Sequence, residues 1–295
     1  MNKENIYIQV RDHSVSGEAF DLIHNKALDV LETNPQPPED KLGDYYKSED
    51  YISHTDGKRN VFEKTYHFVK GIALKRKLKL INTIAHTSFT NGVSKEKKLL
   101  DIGCGTGDFL KVAKANQWTV CGIEPNEQAR IIANEKSNNA VFDSAHLQTL
   151  TPYSFDVITL WHVLEHLPNL EAHIATFEAL LKPNGRLVIA VPNYNSYDAN
   201  YYNRFWAAFD VPRHLWHFSQ TAISKLVRKH NMIVQETAPM IFDAYYVSLL
   251  SEKYKSGLMN PFKAFWIGWM SNWKARTSGE YSSMIYVVKK SKKAL

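Results

Sequence analysis

The sequence predicts an α/β protein: a parallel sheet covered by helices on both faces, preceded by a small β-ribbon and a helical lead-in. Three observations predict it. Residues 97–290 alternate short apolar runs with amphipathic segments, the pattern of strand–helix–strand units. The run Lys98-Leu99-Leu100-Asp101-Ile102 passes straight into the glycine turn Gly103-Cys104-Gly105-Thr106-Gly107. A carboxylate, Glu124, ends the next apolar run, about 20 residues on.

Composition supports a folded enzyme-sized chain. Of 295 residues, 44% are hydrophobic and 22% charged, which excludes a mostly disordered protein. Aromatics are high, with 7 Trp and 15 Tyr, and suggest a ligand cavity or an interfacial surface. Two cysteines exclude a disulfide framework and a four-cysteine zinc site. The formal charge of +6 favours anionic partners without identifying one. The first residues lack the apolar segment of a signal peptide, and no apolar run is long enough to span a membrane. A cytoplasmic setting is the expectation.

The chain divides into three parts. Residues 1–42 read as a β-ribbon. Ile6 to Val10 and Ala19 to Ile23 alternate, Leu28 to Leu31 follows a turn at Asn25-Lys26, and Asn34-Pro35-Gln36-Pro37-Pro38 ends the unit. Residues 43–95 form the helical lead-in, with a stripe from Val61 through Val69, Ile72, Leu78 and Ile81 to Ile84, and a basic face at Lys75-Arg76-Lys77 and Lys79. Residues 96–295 hold the sheet. Its strands are expected at 98–102, 119–123, 140–142, 155–160, 186–191, 233–235 and 284–288. Helices run between them from Phe109, from a cap at Asn126, from Leu170 to a stop at Lys182-Pro183-Asn184-Gly185, and from a cap at Ser219. Two insertions, about 194–218 and 240–280, follow strand ends.

The glycine turn lets the chain reverse sharply and lets a ligand approach the strand end. A dinucleotide fingerprint wants a sixth-position glycine, but Asp108 stands there. Its charge disfavours a pyrophosphate and favours a cofactor without one. Glu124 at the next strand tip can accept two hydrogen bonds from a ribose diol. The plain alternative is a surface carboxylate heading a helix, with Pro125 in its first position.

Four phrases in order now resemble a known family. They are Leu100 to Gly107, Gly122-Ile123-Glu124-Pro125, Ser154-Phe155-Asp156-Val157-Ile158, and Leu180-Leu181-Lys182-Pro183-Asn184-Gly185. Together, over about 97–290, they resemble class I S-adenosylmethionine-dependent methyltransferases. The resemblance implies a Rossmann-like, doubly wound sheet of seven strands whose last strand is antiparallel. It implies S-adenosyl-L-methionine as cofactor and S-adenosyl-L-homocysteine as product. The cofactor set it implies is Asp101, Gly103, Cys104, Gly105, Gly107, Glu124, Pro125, Asp143, Ser144, Trp161 and His162. Within it, Asp101 and the loop take the methionine moiety, Glu124 the ribose, and Asp143 the adenine amino group. Trp161 and His162 flank the methyl end.

The phrase Trp161-His162-Val163-Leu164-Glu165-His166-Leu167 is similar to the ubiquinone-pathway O-methyltransferase-like (methyltransferase type 23) group. Relatives there often carry Asp-Val-Pro-Arg-His-Leu-x-His-Phe-Ser, present here as Asp210 to Ser219. Some also carry an N-terminal zinc ribbon. This ribbon has no cysteine, so no metal is expected.

Methyl transfer from a sulfonium is an in-line displacement that needs alignment and exclusion of water. A hydroxyl acceptor gains from a general base of histidine's range. The candidates are His214, His166 and His162, with His217 beside them, and His214 leads because Pro212-Arg213-His214 sits in an insertion placed to close over the cofactor. Each could instead be a packing or capping histidine. The aromatics Tyr194 to Phe209 read as a lid over an apolar acceptor or a cap packed on the core. A second stripe, within 258–273, reads as core, a homodimer contact or a peripheral membrane contact. The function expected is O-methylation of a small or lipid-like acceptor. The rivals are an RNA methyltransferase, against which stands the lack of an Asn/Asp-Pro-Pro-Tyr-like motif, and a non-catalytic scaffold, against which stand the intact glycine turn and Glu124.

Overall fold

The computed structural model describes residues 5–46, 61–88 and 96–291. It opens on an antiparallel ribbon of β1 (Ile6–Arg11), β2 (Ala19–Asn25) and β3 (Val30–Asn34). Period-two alternation buries Val10, Phe20, Leu22 and Leu31 together. The third strand starts at Val30 rather than Leu28, because Asp29 takes a left-handed φ of 60° and completes the turn. Helix α1 (Glu39–Leu42) follows the prolines.

Helix α2 (Val61–Ser88) is the described part of the lead-in; residues 47–60 and 89–95 of that expected segment lie outside the described residues. It buries Ile81, Ile84 and Ala85 on the sheet beside Leu99, Phe109 and Trp118. The Trp118 indole donates to Asn82 at 2.9 Å.

The main unit follows as β4 (Lys97–Ile102), α3 (Asp108–Ala115), β5 (Trp118–Ile123), α4 (Glu127–Ser137), β6 (Val141–Phe142) and β7 (Phe155–Trp161). Next come α5 (Leu170–Leu180), β8 (Leu181–Pro192), α6 (Tyr197–Tyr202), β9 (Trp216–His217), α7 (Gln220–Lys229) and β10 (Met232–Pro239). The chain ends with α8 (Asp243–Ser256), α9 (Pro261–Ser278) and β11 (Ser283–Lys290).

Seven strands make one sheet in the order β10-β11-β8-β7-β4-β5-β6. The pairs β4–β5, β5–β6, β4–β7 and β7–β8 are parallel, and β11 is antiparallel to both its neighbours. The expected seven-stranded Rossmann-like sheet with an antiparallel last strand is therefore present. Its central strands read as unbroken apolar runs because both faces are covered. Leu99, Leu100, Val157, Ile158, Leu160 and Val188 have no solvent exposure.

Two local expectations change. Helix α5 stops at Leu180, before Lys182-Pro183-Asn184-Gly185. Leu181 already pairs with Phe155, and the Pro-Asn-Gly segment forms an irregularity inside β8 rather than a separate loop. The cause is burial of Leu181 and the pairing of Lys182 with buried Asp156 at 2.7 Å. Pro125 is not the first residue of α4. Asn126 caps that helix by accepting the Ala129 N–H at 2.9 Å, which leaves Pro125 outside it.

The 194–218 insertion packs on the ribbon. Tyr194, Tyr202, Trp206 and Phe209 share a core with Phe20, Leu22 and Leu31, and β9 adds to the ribbon beside β3. These four aromatics are thus a packed cap. Arg213 fastens the two parts: its guanidinium reaches Asp12 at 3.1 Å and Asp210 at 2.7 Å, both on Nη2. Burial raises the Asp12 carboxyl, but N–H groups of Ser16 and Ser14 and the Arg213 charge outweigh it and hold the pKa at about 2.

Candidate active site

Parallel strands bring their carboxyl ends to one edge, and the sequence puts polar residues there. β4 and β7 are adjacent, so Asp101 and Thr159 lie side by side. The Thr159 hydroxyl donates to the Asp101 carboxylate at 2.6 Å. Asp101 is otherwise enclosed. Burial pushes its pKa up to about 7; Thr159 and Lys77 oppose this and Glu124 adds to it.

Above Asp101 the chain turns through Gly103, Gly105 and Gly107, all at positive φ. Glycine adopts such angles at the least steric cost. A side chain at Gly107 would also strike Ala133 at 2.9 Å, so α3 and α4 touch there. Around Gly105 no atom lies within 4 Å of where a Cβ would stand, which leaves one side of the turn open for a ligand. Glu124, at the end of β5, supports the turn: it accepts the N–H of Gly105 at 2.8 Å and of Asn126 at 2.9 Å. Each oxygen keeps a further lone pair. Cys104 lies half-buried under the turn, with its thiol pKa driven far up by burial and by Asp101 and Glu124.

Asp108 does not stand as a bare charge at the start of α3. Lys70 and Lys136 pair with it at 2.6 and 2.7 Å. These contacts overcome burial and hold its carboxyl below the usual range.

At the rim, Asp143 and Ser144 are exposed beyond β6. Asp143 caps a short 3₁₀ turn by accepting the His146 N–H at 3.2 Å, and Phe142 stacks on His146 at 4.0 Å. Trp161 ends β7 with its indole N–H buried and unpartnered. Lys77 of α2 sits over its ring at 4.4 Å. Burial lowers the Lys77 pKa, while Asp101 and Asp243 hold charge on it.

His162 follows at φ 58°. Its Nε2 meets Asp243 at 2.9 Å and its Nδ1 faces Glu165 at 3.4 Å. Burial alone would lower its pKa, but the two carboxylates prevail and raise it to about 10. His162, expected among the candidate bases, is thus held between two carboxylates. Beyond Glu165 lie His166 and His214, ring centroids 4.5 Å apart. His166 Nδ1 bonds the Arg213 carbonyl at 3.0 Å, and burial, with the His214 charge, lowers its pKa to about 4. His214 Nδ1 donates to the Ala208 carbonyl at 2.9 Å, so in the neutral ring Nε2 carries the lone pair. His217 lies beside His214, ring centroids 6.3 Å apart, buried on Thr33 at 3.0 Å and strongly depressed by burial and by the His214 charge.

Among the described residues, Glu165, His166 and His214 could group their ligating atoms within 4.8 Å of one another. The donor types suit a divalent ion. The charge does not call for one, because the His162 imidazolium already faces Glu165.

A methyltransferase-domain family model matches residues 72–237, more than half of the chain. The chain belongs to that family. The expectation of a methyltransferase domain stands with that membership. A ubiquinone biosynthesis O-methyltransferase of Histophilus somni (strain 2336) is 41% identical over 115 residues, covering 35% of this chain and 48% of the relative. Its counterpart in Idiomarina loihiensis is 33% identical over 106 residues, covering 34% and 44%. The chain thus spans about half the length of the curated relatives it matches. Among solved structures, magnesium protoporphyrin IX methyltransferase of Synechocystis PCC 6803 is similar with a TM-score of 0.56 at 14% identity, covering 86% of this chain and 100% of that one. This likeness shows the fold.

Three contacts were hidden from the sequence: Asp243 on His162, Lys77 on Trp161, and Arg213 on Asp12. Their partners lie far apart in the chain, and no local pattern announces them.

Proposed function

We propose that the protein transfers a methyl group from S-adenosylmethionine to a hydroxyl oxygen on a small, apolar, lipid-like acceptor. The cofactor fits the residues at the strand edge. Gly105 leaves an open flank, Glu124 keeps lone pairs for a ribose diol, and Asp101 lies below for the methionine ammonium. Asp143 and Ser144 stand at the rim for the adenine. Trp161, with its unpartnered indole, and the cationic His162 border the methionine end. Pro125 and Cys104 shape the walls without a charged contact.

S-adenosylmethionine supplies the methyl carbon as an electrophile on a positive sulfur. What remains for the protein is alignment, exclusion of water and removal of one proton. As the oxygen–methyl bond forms and the sulfur–methyl bond breaks, the hydroxyl proton passes to His214 Nε2. The observation that carries this reading is the tautomer of His214. Its Nδ1–H is committed to the Ala208 carbonyl, so Nε2 is the acceptor, beside His166 and 3.9 Å from Asp210. Asp210 can stabilise the imidazolium that forms. His166, depressed to about 4 by burial, lies ring to ring with His214 and serves to position it.

The acceptor class is supported by the ubiquinone biosynthesis O-methyltransferases that the chain resembles. Insertions 194–218 and 240–280 both follow carboxyl ends of strands, where open α/β sheets bind ligands. A cytoplasmic setting at a membrane surface suits such an acceptor. No helix among the described residues is long and apolar enough to cross a membrane. The test is methyl-labelled S-adenosylmethionine with alkylated phenols, hydrophilic catechols and RNA in parallel. Label in an alkyl aryl ether supports the reading. Label in RNA, or none with any acceptor despite cofactor binding, contradicts it.

A further inference from the structure

Helix α9 is turned inside out. Its buried face is made of small residues: Ala264, Gly268, Ser271 and Ala275, with Ile267. Its outer face is Phe262, Phe265, Trp266, Trp269 and Trp273, at 87, 61, 57, 40 and 53% exposure. These fall at i, i+3, i+4, i+7 and i+11, one continuous stripe. Leu258 and Met259, at 76 and 50%, extend it through the preceding loop. The sequence expectation allowed core, and the structure excludes that.

The helix is fixed in this orientation. A side chain at Gly268 would strike Tyr245 at 2.8 Å, so α8 and α9 touch closely. The Ser271 hydroxyl donates at 2.6 Å to buried Asp198, which also takes the Trp206 indole at 2.8 Å and Ser282 at 2.7 Å. Rolling the aromatics inward would break this buried network and leave Asp198 unpaired. Trp266, Trp269 and Trp273 are instead stacked on one another outside, at 5.2 and 6.3 Å.

Charge decides what covers the stripe. Between Glu252 and Glu280 the chain carries Lys253, Lys255, Lys263, Lys274 and Arg276 and no carboxylate. Lys263 is held by Glu252 at 3.1 Å, and Lys255 and Lys274 lie over Tyr201 and Tyr197 at the flanks. A second copy would bring like charges face to face. An anionic lipid surface accepts both features, because Trp and Phe settle at the headgroup boundary while basic residues meet the phosphates.

We propose that the α8–α9 hairpin docks flat on an anionic phospholipid surface through this stripe. The hairpin begins at Asp243, which is bonded to His162 at the strand edge. Docking therefore sets the site beside the membrane and gives an apolar acceptor a short path. That benefit rests on the acceptor reading above; the docking does not.

The experiment is co-sedimentation of the full chain with phosphatidylcholine vesicles, with and without phosphatidylglycerol, needing neither acceptor nor turnover. Binding is expected with phosphatidylglycerol and much weaker without it, each basic residue adding about fivefold. The variant F262S/F265S/W266S should lose at least tenfold in vesicle affinity while its melting temperature and S-adenosylmethionine affinity stay as in the parent. K274E/R276E should lose the phosphatidylglycerol preference. Equal binding to both vesicles, or none, overturns the proposal. A dimer that the same serine variant abolishes, with no vesicle binding, overturns it in favour of a second copy. Failed turnover on apolar phenols with intact vesicle binding would contradict the acceptor reading alone.

Discussion

The Asp243 carboxylate, on the first residue of α8, lies 2.9 Å from the His162 imidazole at the end of β7. Through Glu165 the same imidazole is joined to the His166–His214 pair. The aromatic insertion, the strand edge and the candidate base thus form one connected group, built from three distant segments.

The pair has a pH signature. The His162 pKa rises from 6.5 to about 10 on folding, so its stabilisation is complete below about 6.5 and is lost as pH climbs through 10. Melting temperatures should therefore decline across that window. Asp243→Asn should cost about 1 kcal/mol near neutrality, a modest figure because His162 is partly exposed and water screens it. It should also flatten the decline. Parallel curves for parent and variant would remove the pair from the account.

Asp101 should link cofactor affinity to pH. Its pKa is about 7 when the ligand is absent. A ligand ammonium favours the carboxylate and lowers that value, so binding releases a proton. Affinity should rise with pH up to about 7, approaching tenfold per unit below it, and level off above. Calorimetry in buffers of different ionisation enthalpy reads the proton directly. Asp101→Asn should abolish both effects; proton uptake instead would reverse the assignment.

No stoichiometric metal is expected at Glu165, His166 and His214, since the His162 imidazolium supplies the charge that Glu165 requires. Elemental analysis should find well under one divalent ion per chain, and chelator dialysis should leave the melting temperature unchanged. One zinc or manganese per chain, lost together with stability, would contradict this.

His214→Ala should lower turnover by about 10²–10⁴ with cofactor affinity nearly unchanged. His162→Gln should act mainly on stability and its pH dependence. Full turnover in His214→Ala would assign the proton to another acceptor.

The strand tips were legible because their signals are local. Leu99-Leu100-Asp101-Ile102 before Gly103 announces a strand and turn, and Glu124 follows at the spacing of one strand–helix–strand unit. The helical stripe of α9 was legible too, but not its direction. Aromatic content argued for burial, whereas Ala264, Gly268, Ser271 and Ala275 on the opposite face were the sign of close packing there. His162 looked like its neighbours His166 and His214 because a histidine's role depends on its partners. The carboxylate that makes it a cation lies 81 positions later. The same distance problem concealed Arg213 and Asp12, 201 residues apart, and with them the fusion of ribbon and insertion.

The most direct test of the account is isothermal titration of S-adenosylmethionine into the parent and into Glu124→Ala. The parent should bind one equivalent. The variant loses charge-assisted hydrogen bonds to the ribose and the support under Gly105, so it should bind about 2–4 kcal/mol more weakly while remaining folded. Equal affinity in the two proteins, or no binding by the parent, would contradict the placement of the cofactor at this strand edge.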